Sequence, residues 1–391
     1  MADDIVILSG ARTPMGEFNG PLRHLTEVEL GALAARAAME RSGVKPSDIQ
    51  HVVFGNAQQN SANAVYGARH VGLKAGVPPE VPALTVNRLC GSGIQSIVSA
   101  AHLMLLGEAD VALAGGMESM SQAPHIIRGL RTGLRLGEGT LEDSLTTALM
   151  DNHCGLMMAQ TADLLARETG ITRQAADEFA LRSQKLAAAA AETLREEIVP
   201  VEVRRKGKSE TVAADDHPRP DTTMEGLARL PPVFGTQMVT AGNASGIVDG
   251  GAAVVMATSG RARSGGVRPL GRLAAWHYEG VEPRLMGRGP VPAIRGALRK
   301  AGLSLKEIDL FEINEAFAVQ YLAVEKELGL DRERVNVNGG AVALGHPLGA
   351  TGTRLALTLL LELRRRHARY GVASACIGGG QGIALLVESA G

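Results

Sequence analysis

Short apolar runs recur along the chain at residues 5–8, 52–54, 111–114, 310–313 and 372–377, each bounded by Gly, Asp or Asn. Runs of that length and character predict buried strands. Longer segments with apolar residues at helical spacing alternate with them, which predicts an α/β fold. Two stretches echo one another. Ala35-Arg36-Ala37-Ala38-Met39-Glu40-Arg41-Ser42-Gly43-Val44 leading to Asp48-Ile49 resembles Ile294-Arg295-Gly296-Ala297-Leu298-Arg299-Lys300-Ala301-Gly302-Leu303 leading to Glu307-Ile308. Both read as a helix, a glycine cap and then a strand. A second echo pairs Asp110-Val111-Ala112-Leu113-Ala114-Gly115-Gly116 with Gly371-Val372-Ala373-Ser374-Ala375-Cys376. Each follows a long helix, one starting near Cys90 and the other near Gly349. Repeated βα units in one order predict a duplicated fold whose strand ends meet at a shared cleft.

Between the halves the character changes. Residues 128–139 are rich in Gly and Arg, helical patterns run over 156–167 and 172–195, and a polar run covers 204–223. The expected division is an N-terminal half at 1–119 completed by 245–267, an inserted loop domain at 120–244, and a C-terminal half at 268–391. The alanine- and charge-rich segment 174–195 reads as a solvated amphipathic helix.

At 391 residues the chain is long enough for two or three domains. Composition then excludes classes. Forty Lys and Arg against 41 Asp and Glu give a net charge of −1, which supplies no basic field for nucleic acid or an anionic membrane. The 48 glycines lack a Gly-X-Y period and cluster in short runs, where a backbone turns sharply or a ligand comes close. Met1-Ala2-Asp3-Asp4 leads straight into an apolar run without the parts of a signal peptide, and no stretch reaches the roughly 20 apolar residues of a membrane span. The C-terminal Glu388-Ser389-Ala390-Gly391 is not a peroxisomal address, so the expected compartment is the cytoplasm. Three distant cysteines, Cys90, Cys154 and Cys376, suit neither a disulfide framework nor a Cys-x-x-Cys metal site.

Four segments carry chemistry. In Asn87-Arg88-Leu89-Cys90-Gly91-Ser92-Gly93, a helix begins at about the cysteine, where unpaired N–H groups favour a thiolate of lowered pKa. A lone cysteine of this kind is more often structural; here its company reverses that preference. His346 sits in the glycine-rich Gly345-His346-Pro347-Leu348-Gly349, opening a second helix, and histidine is the natural base for a thiol near neutral pH. Cys376 ends a buried strand and runs into Gly378-Gly379-Gly380, whose bare N–H groups suit an oxyanion. Asn314 and Glu315 follow a strand and suit positioning a water, although Asn314 capping the next helix is an equally good account of that segment alone.

These segments, together with Gly115-Gly116-Met117-Glu118-Ser119-Met120 and Gly242-Asn243-Ala244-Ser245-Gly246, closely resemble the signatures of the thiolase family in order and spacing. The resemblance spans essentially the whole chain. It implies a layered α-β-α-β-α arrangement and an acetyl-CoA C-acetyltransferase that reversibly condenses two acetyl-CoA to acetoacetyl-CoA and CoA, or a 3-ketoacyl-CoA thiolase of broader chain length. It implies that Cys90 is acylated, His346 activates it, and Cys376 moves a proton at the α-carbon. Asn314 would hold a water beside His346, and the N–H groups of Cys90 and Gly378 would form a second oxyanion hole. Ser245 would lie near the pantetheine amide and Arg219 near the nucleotide end, with Met158, Phe234, Met286, Ala316 and Phe317 along the tunnel. Coenzyme A would be a substrate, with no separate cofactor and no metal, and the chain would form a dimer or tetramer. One departure concerns Met157-Met158-Ala159, where many short-chain members have His-Met-Gly; it bears on the pantetheine contact and on chain length.

Rival motifs are missing. There is no Gly-x-Ser-x-Gly, no phosphate loop, no His-Glu-x-x-His and no dinucleotide fingerprint after the first strand. A decarboxylating condensing enzyme on the same fold would lack Cys376 and carry a histidine near Asn314. A catalytically silent acyl-CoA-binding protein is the rival of another class.

Overall fold

The computed structural model describes residues 3–205 and 207–391, so Met1 and Ala2 at the expected leaderless start and Lys206 in the polar run lie outside the described residues. Its frame is β1 (Ile5–Arg12), α1 (Glu27–Ser42), β2 (His51–Gly55), α2 (Gly67–Ala75), β3 (Ala83–Val86), α3 (Ser92–Leu105), β4 (Val111–Glu118), α4 (Met158–Thr169), α5 (Arg173–Ala189), β5 (Val248–Thr258), β6 (Gly271–Gly280), α6 (Pro290–Ala301), β7 (Leu310–Ile313), α7 (Ala318–Leu328), α8 (Leu348–Arg365), β8 (Tyr370–Ile377) and β9 (Gln381–Ser389).

The strands join in the order β7-β8-β9-β6-β1-β5-β4-β2-β3, with the short strand Gly16–Glu17 against β5. The join at the middle is slight: β1 and β6 pair only through Val6–Arg272 and Ile7–Gly271. On either side the pattern repeats. The outer strands β2, β4 and β7, β8 run parallel to their neighbours, whereas β5 and β9 return antiparallel. Outer helices α1 and α2 cover one half, α6 covers the other, and α3 and α8 pack against each other between the two. The result is the layered α-β-α-β-α arrangement.

Local signals explain the repeat. Thr26 caps α1 with Glu29 in a capping box, and Gly43 closes it at φ 68°. Pro290 opens α6 at its first turn, and Gly302 closes it at φ 69°. The two central helices cross where neither carries a side chain. A Cβ on Gly93 would stand 2.8 Å from the Gly352 nitrogen, so only glycine lets the backbones meet there. Helix α8 is buried nearly all round, and Leu355, Leu357, Leu359, Leu360 and Leu363 enter the core between the sheets. Each such leucine contributes roughly 1.5–3 kcal/mol.

The region between the halves departs from expectation in two ways. The helix expected across 172–195 breaks at Ala190 into α5 and Ala191–Arg195. Nor is α5 solvated. Its Ala176, Phe179, Ala180 and Ala187 are buried, Phe179 stacks on Tyr321 at 4.4 Å, and Asp177 accepts from Asn243 at 2.8 Å. Alanine-rich faces permit close docking, a property that counting charges along the helix misses. No helix among the described residues is long and apolar enough to cross a membrane.

Candidate active site

Cys90 lies in the 3-10 turn Leu89–Gly91, one turn ahead of α3. Leu89 adopts φ 46°, a left-handed conformation rare for a branched side chain. Local hydrogen bonds hold it there: the Leu89 N–H donates to Asn87 Oδ1 at 2.9 Å, and the Ser92 hydroxyl donates to the Leu89 carbonyl at 2.7 Å. The backbone N–H groups of Gly378 and of Cys90 itself donate to the sulfur. Burial nevertheless outweighs them, and with Glu118 nearby it pushes the thiol up to about 11. The expected lowered pKa is therefore corrected: the helix starts after the cysteine, and desolvation exceeds what two donors return.

His346 is buried on the segment that leads into α8. The Thr351 hydroxyl donates to the Pro347 carbonyl at 3.0 Å, so its oxygen is left to accept from His346 Nδ1–H at 2.6 Å. That assignment leaves Nε2 with its lone pair, 3.3 Å from the Asn314 amide nitrogen. Burial, then the positive charge of Arg354, lowers the imidazole to about 3, so it rests neutral. A histidine poised near neutrality was expected, and it too is corrected by burial. Arg354 is held by Glu312 at 3.0 Å. Asn314 does not cap the next helix, which starts at Ala318 behind Phe317. Its Oδ1 is buried and has no hydrogen-bond partner among the described residues.

Cys376 is fully buried in a cluster with Met286, Ala316, Met158 and Phe317. Burial and the proximity of Cys90 push its thiol up. Gly379 and Gly380 turn the chain at φ 80° and 81°. Gly378 is hemmed in: a Cβ there would come within 3.2 Å of Met158 Sδ and 3.3 Å of Leu89 Cδ1. One of the three reactive groups is on the wall of a small chamber of about 110 Å³, and the other two pack against residues of that wall. His346 lines it directly. Cys90 adjoins it through the cluster containing Met120 and Leu348, and Cys376 through Met158 and Phe317. Met286 and Ala316 pack with Cys376 and do not line the chamber.

The chamber opens into an outer cleft of about 780 Å³; Phe234, Ala244, Ser245, Gly246 and Ile247 line both. Ser245 is pinned by its N–H to the Ala316 carbonyl at 3.0 Å. Phe234 is exposed at φ 52°. Arg219 lies on the outer cleft, where Nη2 donates to Glu17 Oε1 at 2.5 Å. No group of three or more His, Cys, Asp or Glu able to hold a metal ion occurs among the described residues.

Sequence reasoning missed Thr351 and Glu118. Thr351 is five residues after His346, near the start of the helix that His346 precedes, a spacing that can be read from the chain. Glu118 accepts from Asn56 Nδ2, Ala57 N–H, Gln58 N–H and Gly349 N–H at 2.7–3.0 Å, tying the His346 segment to the other half. Burial lifts it to about 7 despite those donors.

Comparison with known proteins places this geometry. The thiolase N-terminal domain model matches residues 5–260, and the thiolase C-terminal domain model matches residues 267–389. Human mitochondrial 3-ketoacyl-CoA thiolase is 50% identical over 391 residues, covering 98% of each chain. The acetyl-CoA acetyltransferase of Cupriavidus necator is 46% identical over 392 residues, covering 98% of this chain and 99% of its own. A crystal structure of the human enzyme in complex with CoA superposes with a TM-score of 0.96 at 50% identity, covering 99% of this chain and 98% of that one. The expected cytoplasmic compartment finds no support in the human relative, which is named as mitochondrial.

Proposed function

This chain belongs to the thiolase family and is an acyltransferase; from that premise we propose that it cleaves and forms acetoacetyl-CoA through an acyl-Cys90 intermediate. The observation that carries the proposal is that His346 lines a chamber against whose wall residues both Cys90 and Cys376 pack, the two thiols close to one another, beside a larger cleft.

In cleavage, the Cys90 thiol gives its proton to Nε2 of His346 as the sulfur attacks the keto carbon. The starting pair is neutral, so the charge is created only as the new carbon–sulfur bond forms. Collapse of the adduct breaks the bond between C2 and C3. The departing acetyl-CoA enolate takes a proton from Cys376, leaving the acyl group on Cys90. A second CoA thiol then attacks that thioester, and the proton on His346 returns to the Cys90 sulfur while the incoming thiol proton restores Cys376. Condensation is the reverse. The N–H groups of Cys90 and Gly378 donate to one oxygen as its charge develops; Asn314, with a water, serves the other beside His346. Loss of one such donor costs about 3–4 kcal/mol of transition-state stabilisation.

Volume supports the shorter acyl chain. A dry cavity of about 150 Å³ takes a benzene-sized guest, and the chamber is smaller, the size of a four-carbon acyl unit. A second reading, longer 3-ketoacyl-CoA esters, is favoured by Met120, Met157 and Met158 on its wall, since methionines yield to irregular guests. Within the proposal CoA and its thioesters occupy the outer cleft, with Ser245 beside the pantetheine and Arg219 beside the phosphorylated end. The proposal includes no separate cofactor, a dimer or tetramer, and the division at 1–119 with 245–267, 120–244 and 268–391.

Mass spectrometry after incubation with acetoacetyl-CoA tests the intermediate: an acetyl group is expected on Cys90, and an unmodified Cys90 during turnover refutes it. A series of 3-ketoacyl-CoA esters should give its highest kcat/KM at four carbons. A maximum at eight or more selects the second reading.

A further inference from the structure

The proposed mechanism leaves unused the charged residue of the nucleophile motif, Arg88, two positions before Cys90. Its half-buried side chain is held on three sides. Nε donates to Gln95 Oε1 at 2.7 Å near the start of α3, and Nη1 donates to Gln381 Oε1 at 2.9 Å. The guanidinium carbon lies 4.6 Å from the centre of the Tyr278 ring on β6. Gln381 is the first residue of β9, directly after the Gly378-Gly379-Gly380 turn, and it pairs with Gly280 at the end of β6. Arg88 therefore ties the turn presenting Cys90 to the turn presenting the Gly378 N–H, across 293 residues of sequence.

Both turns need holding. Leu89 sits in a left-handed conformation that leucine rarely adopts, and Gly379 and Gly380 have no side chains to anchor. The bonds from Asn87 and Ser92, with Asn87 anchored on the Ala57 carbonyl, fix the first turn within its own half. The Arg88 fork and the Gly378 N–H to Cys90 sulfur contact both cross from one turn to the other. An oxyanion donor works only if it is aimed before the charge develops, so a small displacement of Gly378 relative to Cys90 is felt in the transition state.

We propose that Arg88 is a positioning residue, which through Gln381 holds the Gly378 N–H against the acyl oxygen carried by Cys90. The proposal rests on the reading that Cys90 is acylated and Gly378 is an oxyanion donor. Arg88 lies outside the CoA cleft, so its loss should leave CoA binding alone.

The test compares Arg88→Ala, Gln381→Ala, the double variant and Gln381→Glu in the full-length enzyme. Readouts are steady-state thiolysis of acetoacetyl-CoA and difference infrared spectra of the ¹³C-labelled acetyl-Cys90 carbonyl. Each alanine variant is expected to lose about 10-fold in kcat, less than the 100- to 1,000-fold of deleting a donor, with KM for CoA within about twofold. Its carbonyl band should move to higher wavenumber as the hydrogen bond to oxygen weakens. The double variant should be no worse than either single, because one link is broken once. Gln381→Glu, which keeps an acceptor for the fork, should stay near wild type. Should Arg88→Ala fail to fold, Gln381→Ala carries the comparison alone. An unmoved carbonyl band, losses confined to KM, or fully additive losses overturn the assignment. Wild-type enzyme that never forms acetyl-Cys90 instead removes the parent reading, and this one with it, before any variant is made.

Discussion

Helices α3 and α8 occupy equivalent places in the two halves, yet a thiol precedes the first and an imidazole the second. The strands that follow them differ in the same way. Strand β4 ends in Glu118, which four donors surround, whereas β8 carries Cys376 near its end among methionine, alanine and phenylalanine side chains. A duplicated scaffold thus presents four titratable groups to one region, and surroundings set their roles. Glu118 accepts from three backbone N–H groups and the Asn56 amide and locks the halves together. Cys376 has its own backbone N–H beside the sulfur and otherwise apolar neighbours, which suits the proton transfer proposed for it.

The comparison breaks most severely at the helix starts. Cys90→Ala should abolish acylation and lower turnover by at least about 10⁴-fold, and His346→Ala by about 10³-fold, both measured as thiolysis of acetoacetyl-CoA. Comparable residual activity in Cys90→Ala and wild type ends the covalent scheme. At the strand ends, Cys376→Ser should lose about 100-fold in condensation while forming acetyl-Cys90 from acetyl-CoA with a much smaller loss, because a CoA thiolate leaves without the proton that an enolate needs. Equal loss of both steps would show Cys376 acting on the nucleophile itself.

The protonation states sharpen the contrast further. With Cys90 near 11, its alkylation by iodoacetamide in the free enzyme should climb about tenfold per pH unit from pH 6 to 9, because the thiolate is the reacting form. A plateau below pH 8 would reveal a preformed thiolate–imidazolium pair. His346 makes the matching stability prediction. Its folded pKa near 3 lies below the ordinary 6.5, so the unfolded chain binds the proton first as pH falls. Its contribution is complete above about 6.5 and is lost as pH drops towards 3. Denaturant melts should show a shallower loss over that window in His346→Gln; an unchanged slope contradicts the buried neutral ring. The smallest effect concerns the chamber wall. Met157→Ala should raise the kcat/KM ratio of an eight-carbon to a four-carbon 3-ketoacyl-CoA by about fivefold, within what a methylene or two of room is worth. No change in that ratio places the acyl tail elsewhere.

Local sequence determined much of this protein. Glycine caps at Gly43 and Gly302, short apolar runs and helical periods are properties of neighbouring residues, so the repeat, the α/β frame and the cysteine- and histidine-bearing turns could be read without coordinates. Motif chemistry likewise pointed to Cys90, His346 and Cys376. What only the tertiary structure decided is non-local. Whether Cys90 rests as thiol or thiolate depends on how much water the whole fold removes from it, and desolvation exceeds the two donors that its own turn and Gly378 provide. The docking of α5, the four donors on Glu118 and the Arg88–Gln381 link join residues from 60 to nearly 300 positions apart. No window along the chain contains both partners of such a contact, and burial, the term that sets these protonation states, has no value until every layer is packed.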